Sequence, residues 1–189
     1  MKERGLLVTG AASGIGRTTA IRAAAAGYAV AVGTFDGDPY DAEAVVAEIT
    51  AAGGRALAVQ ADVRDTDEMS AAVHATVEAF GRLDAVVANA GVLKLAPLDV
   101  LRDEDWHRIL DIDLTGVMRT VRAAAPALPA DGSLVVVSSI AGAAVGWSGH
   151  TPDQPFVFSR RSARVARKIK RFMRGVLLST RDWSVVGRR

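Results

Sequence analysis

Leu6-Leu7-Val8-Thr9-Gly10-Ala11-Ala12-Ser13-Gly14-Ile15-Gly16 reads as a short buried strand, a glycine-rich turn and the first turn of a helix. Gly10 and Gly14 remove side chains where the chain must bend tightly and where a ligand approaches the backbone. Gly16 has no Cβ, so the new helix can lie close on the strand. The free N–H groups at the start of that helix then favour a phosphate. An ordinary tight turn carries the same glycines. The position between a strand and a helix is the context that the dinucleotide-binding reading requires.

Working outward, the alternation continues. Strands are predicted at about residues 5–9, 29–34, 56–60, 85–88 and 133–138. Helices are predicted at about residues 14–26, 41–52 and 65–80, the first stopping at Gly27 and the third at Gly81. A long helix follows the Asp103-Glu104-Asp105 cluster, whose carboxylates suit a helix N-terminus, and reaches about residue 125. Short apolar strands alternating with helices mean right-handed crossovers and a parallel sheet covered on both faces. The predicted fold is a Rossmann-like, doubly wound α/β sheet, truncated after the fifth strand and followed by a basic C-terminal helix. Ligands of such sheets bind at the carboxyl ends of the strands. The residues to watch are therefore the turn at 10–16, the end of strand two, Asp62-Val63, Asn89-Ala90-Gly91 and Ser138-Ser139.

Composition narrows the classes. The chain of 189 residues is long enough for one domain with a core, and half of it is apolar. It has no cysteine, which excludes disulfides, thiolate metal sites and a cysteine nucleophile. His74, His107 and His150 do not cluster by spacing, so no metal is expected. No apolar run approaches the roughly 20 residues of a membrane span, and no signal peptide is apparent, so a cytoplasmic location is expected. The net charge of +2 hides a split: residues 153–189 carry +9 and residues 1–152 carry −7.

Taken together, Thr-Gly-(x)3-Gly-Ile-Gly at 9–16, Asp62-Val63, Asn89-Ala90-Gly91 and Ser138-Ser139-Ile140-Ala141-Gly142 resemble the short-chain dehydrogenase/reductases, and Trp106…Asp113-Leu114-Thr115-Gly116 also fits. The resemblance covers about residues 4–152. It implies an oxidoreductase that moves a hydride between NAD or NADP and an alcohol or carbonyl carbon of a small-molecule substrate. It implies that Gly10, Gly14, Ile15 and Gly16 hold the pyrophosphate, with Thr9 and Ser13 in the same cofactor-binding turn. Asp62 and Val63 would contact the adenine, Asn89, Ala90 and Gly91 would line the cofactor floor, and Ser139 would hydrogen-bond the substrate oxygen. Asp113 stands where the family usually has Asn in a proton relay, and it lacks the amide donor. The neighbouring Asp111 reads as a solvated helix residue. Family members that prefer NAD carry an acid at the end of strand two. Here Thr34 and Phe35 stand there and Asp36 follows, while Ser13 offers no cation for a 2′-phosphate. Both cofactors stay open, with NAD favoured and Asp36 its candidate ligand.

The resemblance stops beyond Ser139. The family completes its site with Tyr-x-x-x-Lys, whose Tyr exchanges the proton with the substrate oxygen. Pro152 or Asp153, and Phe156 or Val157, occupy those positions, and the only tyrosines are Tyr28 and Tyr40. The helix carrying that motif also builds the family's usual dimer, which puts oligomerisation in question. Residues 1–152 read as the dinucleotide-binding domain and residues 153–189 as a divergent basic amphipathic tail. Within the tail, Val165, Ile169, Phe172, Met173, Val176 and Leu177 share one helical face. Three origins fit it: an out-of-frame translation, a helix covering a bare sheet face, or a binding element. Two functions follow. One is an oxidoreductase impaired by the absent Tyr and Lys. The other is a non-catalytic dinucleotide-binding protein whose tail takes an anionic partner, nucleic acid or lipid.

Overall fold

The computed structural model describes residues 3–94, 96 and 99–138. The strands are β1 (Arg4–Val8), β2 (Tyr28–Thr34), β3 (Arg55–Gln60), β4 (Ala85–Ala88) and β5 (Ser133–Val136). The helices are α1 (Gly14–Ala25), α2 (Ala42–Ala51), α3 (Thr66–Phe80), α4 (Asp103–Leu110) and α5 (Val117–Ala124). All strand pairs are parallel, in the order β3-β2-β1-β4-β5. This is the Rossmann-like α/β sheet read from the sequence.

The strand sequences alternate between two cores. Leu6, Val8, Val30 and Val32 face one side and meet Ala20 of α1 and Val45 and Ile49 of α2. Leu7, Ala31, Val59 and Val86 face the other and meet Met69, Ala72 and Val73 of α3 and Ala124 of α5. Burial on both faces explains why the strands are near-continuous apolar runs. Aspartates set the starts of two helices: Asp41 accepts from Ala44 N–H at 3.2 Å, and Asp65 accepts from Asp67 and Glu68 N–H at 2.7 and 3.0 Å.

The chain lays down β1, β2 and β3 outward in one direction. It then returns through α3 to place β4 on the other side of β1. Connections therefore diverge between the carboxyl ends of β1 and β4, which is where such sheets open a crevice. Asp84 anchors the opposite end of this pair. Its Oδ2 accepts from Gly5 N–H at 2.8 Å, and its carboxylate pairs with Arg82.

One expectation changes. The predicted single helix from about 103 to 125 is interrupted by a π-helical turn, Asp111–Gly116. Around it, Gly116 lies so close to Val63 that a Cβ there would stand 2.6 Å from Val63 Cγ2. Arg119 reaches back to Asp111 at 2.7 Å, so Asp111 is half of an ion pair rather than merely solvated. The widened turn coincides with Asp113 Oδ1 accepting from Val92 N–H at 2.8 Å, and such bulges often sit at functional sites. The predicted tail helix, Ser139 and His150 lie outside the described residues. No helix among the described residues is long and apolar enough to cross a membrane.

Candidate cofactor cleft

A cleft of about 460 Å³ opens at the carboxyl ends of the strands. Gly10, Ser13, Gly14 and Ile15 line it from the β1–α1 turn, Asp62 and Val63 from the end of β3, and Asn89, Ala90 and Gly91 from the end of β4. Three segments far apart in sequence thus share one cavity, as the motifs predict.

The glycine turn is shaped by close approach. Gly10 and Gly14 have φ of +61° and +54°, in the left-handed region that favours glycine. A Cβ on Gly10 would stand 2.9 Å from Ala90 Cα, whereas one on Gly14 would meet nothing within 4 Å and would project into open space. Gly16 is buried beneath the turn: its Cβ would stand 2.3 Å from the Gly10 carbonyl oxygen and 2.6 Å from Asn89 Nδ2.

Thr9 does not line the cleft. It is 1% exposed, and its Oγ1 accepts from Asn89 N–H at 3.0 Å and Ala90 N–H at 3.1 Å. Asn89 returns the tie, its Nδ2 donating to the Thr9 and Gly10 carbonyls at 3.0 and 3.1 Å. These bonds pin the glycine turn to the end of β4 and set the width of the cleft floor.

The start of α1 fits an anion. Its N-cap Ser13 makes no side-chain capping bond, and its first turn holds no acidic residue. By contrast α2 and α3 are capped by Asp41 and Asp65. The first-turn N–H groups of α1 therefore lack the side-chain acceptor that the other two helices have, and an anion supplies one. The cradle, the missing Cβ atoms and the uncapped helix fit a pyrophosphate.

The end of β2 departs from expectation. Asp36 is exposed and is not among the residues lining the cleft; it borders a separate depression beside it. Asp38 lines the cleft instead, together with Thr34, Phe35, Pro39 and Tyr40. The reason is local. Asp38 N–H donates to the Phe35 carbonyl at 3.1 Å, closing a turn whose third residue, Gly37, has φ +83°. That positive φ is what a type II turn requires at this position, and the turn folds Asp38 back onto the strand end.

Arg64, not singled out from sequence, also lines the cleft. Its Nε donates to both Asp62 oxygens at 2.9 and 3.0 Å. Its guanidinium lies 6.0 Å from the centroid of Phe35. The Arg64 hydrogen bonds, opposed by burial, hold the Asp62 carboxyl below the usual carboxylate range. Arg108 and Ile112 form part of the opposite wall with Val92. Asp113 does not line the cleft; it touches the wall through Val92. Lys94 is an exposed loop residue outside the lining.

Residues 4–151 match the family described as short chain dehydrogenase. The chain belongs to the short-chain dehydrogenase/reductase family. It is 40% identical over 139 residues to a 3-oxoacyl-(acyl-carrier-protein) reductase FabG of Staphylococcus aureus, an alignment covering 72% of this chain and 56% of that protein. A dehydrogenase/reductase structure from Sinorhizobium meliloti superposes with a TM-score of 0.76 at 30% identity, covering 93% of this chain and 66% of that one. A short chain dehydrogenase from Burkholderia cenocepacia in complex with NADP gives 0.72 at 33% identity, covering 92% and 66%. The chain spans about half the length of the curated short-chain dehydrogenase/reductase relatives it matches.

Proposed function

We propose that this chain carries the nicotinamide-dinucleotide site of an NAD(P)-dependent oxidoreductase acting on an alcohol/carbonyl pair, and that as it stands its turnover is impaired. The observation that carries the reading is the convergence of the β1–α1 turn, Asp62-Val63 and residues 89–91 on one cleft beneath an uncapped helix start. In this reading Gly10, Ser13, Gly14, Ile15 and Gly16 hold the pyrophosphate through backbone N–H groups. Asp62 and Val63 border the adenine. Thr9 and Asn89 fix the floor on which Ala90 and Gly91 support the nicotinamide half. The bound dinucleotide supplies the hydride chemistry. Ser139 directs the substrate oxygen, and Asp113 holds the Val92 backbone beside the floor.

Impairment follows from which residues can donate a proton. Tyr28 opens β2 at its amino end, with Arg4 4.2 Å from its ring centroid. That is a strand length, roughly 20 Å, from the cleft. Tyr40 lines the cleft, but at the end of β2, across β1 from β4. Pro152 or Asp153 stands where the family's Tyr falls, and Phe156 or Val157 where its Lys falls. Positioned proton transfer is worth about 10²–10⁴-fold, so turnover should lie that far below a typical value of about 10 per second.

The test pairs two measurements on the full chain: NADH and NADPH binding by nicotinamide fluorescence, and turnover on a panel of ketones and 3-oxoacyl thioesters. Saturable binding with turnover below about 0.1 per second supports the reading. No binding refutes the site, and turnover at ordinary rates refutes the impairment.

A further inference from the structure

We infer that Arg64 caps the Asp62 carboxylate and turns the base end of the cleft from a hydrogen-bond acceptor into a donor, so that the chain does not select a purine by its 6-amino group and takes a 6-oxo purine dinucleotide about as well. The inference rests on the dinucleotide reading of the cleft, in which Asp62 and Val63 border the base, and adds what that end of the cleft can recognise.

The carboxylate is fully engaged. An ionised Asp offers about four lone-pair positions. Oδ1 accepts from the Arg64 backbone N–H at 2.9 Å and from Nε–H at 2.9 Å, while Oδ2 accepts from the same Nε–H at 3.0 Å and from Nη2–H. The grip is built into a local turn. Asp65 N–H donates to the Asp62 carbonyl at 2.9 Å, closing residues 62–65, and Asp62 N–H donates to Glu68 Oε2 at 3.0 Å. An aspartate bonded to the backbone two residues on is held by the turn itself, so the pair loses little freedom on forming.

Exposure decides which group a base meets. The Asp62 side chain is 18% exposed and the Arg64 side chain 46%, and both residues line the cleft. The guanidinium is therefore the outer partner. Its Nη1–H groups and second Nη2–H make no hydrogen bond among the described residues and are left for a ligand. Arg119 is committed elsewhere, to Asp111 at 2.7 Å and the Val63 carbonyl at 3.4 Å, so the cap on Asp62 rests on Arg64. A bare carboxylate would accept from a 6-amino group and repel a 6-oxo oxygen. A capped one presents N–H donors, which serve the ring nitrogens of either purine and the 6-oxo oxygen as well.

The experiment is calorimetric titration of the full chain with NADH and with deamino-NADH, which differ only in the 6-substituent of the base. Wild type should bind the two within about threefold of each other. Arg64→Ala uncovers Asp62 and should favour NADH by about tenfold, the worth of one hydrogen bond to a charged group. Arg64→Gln is the second variant, and circular dichroism confirms that each folds. Asp62→Ala added to Arg64→Ala should return the ratio to near one, which a purely structural role for Arg64 would not do, since loss of structure weakens both ligands together. A wild type that prefers NADH by tenfold or more, or a ratio that Arg64→Ala and Arg64→Gln leave unchanged, overturns the inference and leaves the cofactor site standing. If NADH, NADPH and deamino-NADH all fail to bind, the dinucleotide reading falls and this inference with it.

Discussion

Gly16→Ala puts the packing of the cofactor turn under a direct load. The added Cβ would stand 2.3 Å from the Gly10 carbonyl oxygen, 2.6 Å from Asn89 Nδ2 and 3.0 Å from Ala11 Cα. Ordinary contact begins at 3.4 Å, so the start of α1 must retreat by about 1 Å. Neither neighbour yields freely, because Asn89 Nδ2 is committed to the Thr9 and Gly10 carbonyls at 3.0 and 3.1 Å. Loss of those two bonds costs about 1 kcal/mol each, and overpacking adds about 1–3 kcal/mol. The better helix propensity of alanine returns at most about 1 kcal/mol. The net expectation is a destabilisation of about 2–4 kcal/mol, a large part of a typical domain's stability of about 5–15 kcal/mol. Urea unfolding followed by circular dichroism measures it, and ADP-ribose affinity should fall at least about tenfold as the first-turn N–H groups shift. Gly14→Ala is the contrast: its Cβ meets nothing, so only the strain of φ +54° remains, about 1–2 kcal/mol. Gly14 lines the cleft, so affinity should suffer more than stability. A Gly16→Ala chain that unfolds within about 0.5 kcal/mol of wild type and binds equally would refute this packing account.

Three further outcomes are expected. Thr9→Val keeps the shape but leaves Asn89 and Ala90 N–H without the Oγ1 acceptor; it should cost about 2–4 kcal/mol in urea unfolding, while Thr9→Ser should cost far less. Asp84→Asn should cost about 1–2 kcal/mol near neutrality. Burial raises the Asp84 pKa, but the hydrogen bonds from Arg82 and Gly5 N–H outweigh it, so the folded value lies below the unfolded one. The stabilisation is therefore present above about pH 4 and is lost as pH falls through the folded pKa; an acid titration of stability should steepen there in wild type and not in Asp84→Asn. Asp113→Asn keeps an oxygen that can accept from Val92 N–H and should bind NADH nearly as wild type does, whereas Asp113→Ala should weaken binding about 3- to 10-fold by fluorescence titration.

The sheet was legible because both its faces are buried, which writes each strand as an apolar run between glycine or aspartate punctuation. The cleft was legible because residues 10–16, 62–63 and 89–91 are small or polar at strand ends, where buried strand positions are not. The π-helical turn was not, since residues 103–125 carry an unbroken helical pattern and the interruption accompanies tertiary contacts from Val63 and Val92. Asp36 and Asp38 are equally plausible by spacing; only the turn closed at Gly37 decides which one faces the cleft. Phe35-Asp36-Gly37-Asp38 contained that signal, because glycine as the third residue of a turn followed by aspartate marks where the chain doubles back. Arg64 carried no signal in the sequence, because its pairing with Asp62, two positions away, depends on the loop after β3.

The central claim is that a dinucleotide lies across the carboxyl ends of β1 to β4. Amide chemical-shift mapping of the full chain, titrated with ADP-ribose, tests it most directly. Saturable shifts concentrated at Gly10, Gly14, Ile15, Asp38, Val63 and Gly91 are the predicted result. An absence of shifts, or shifts confined to residues 159–178, would contradict it.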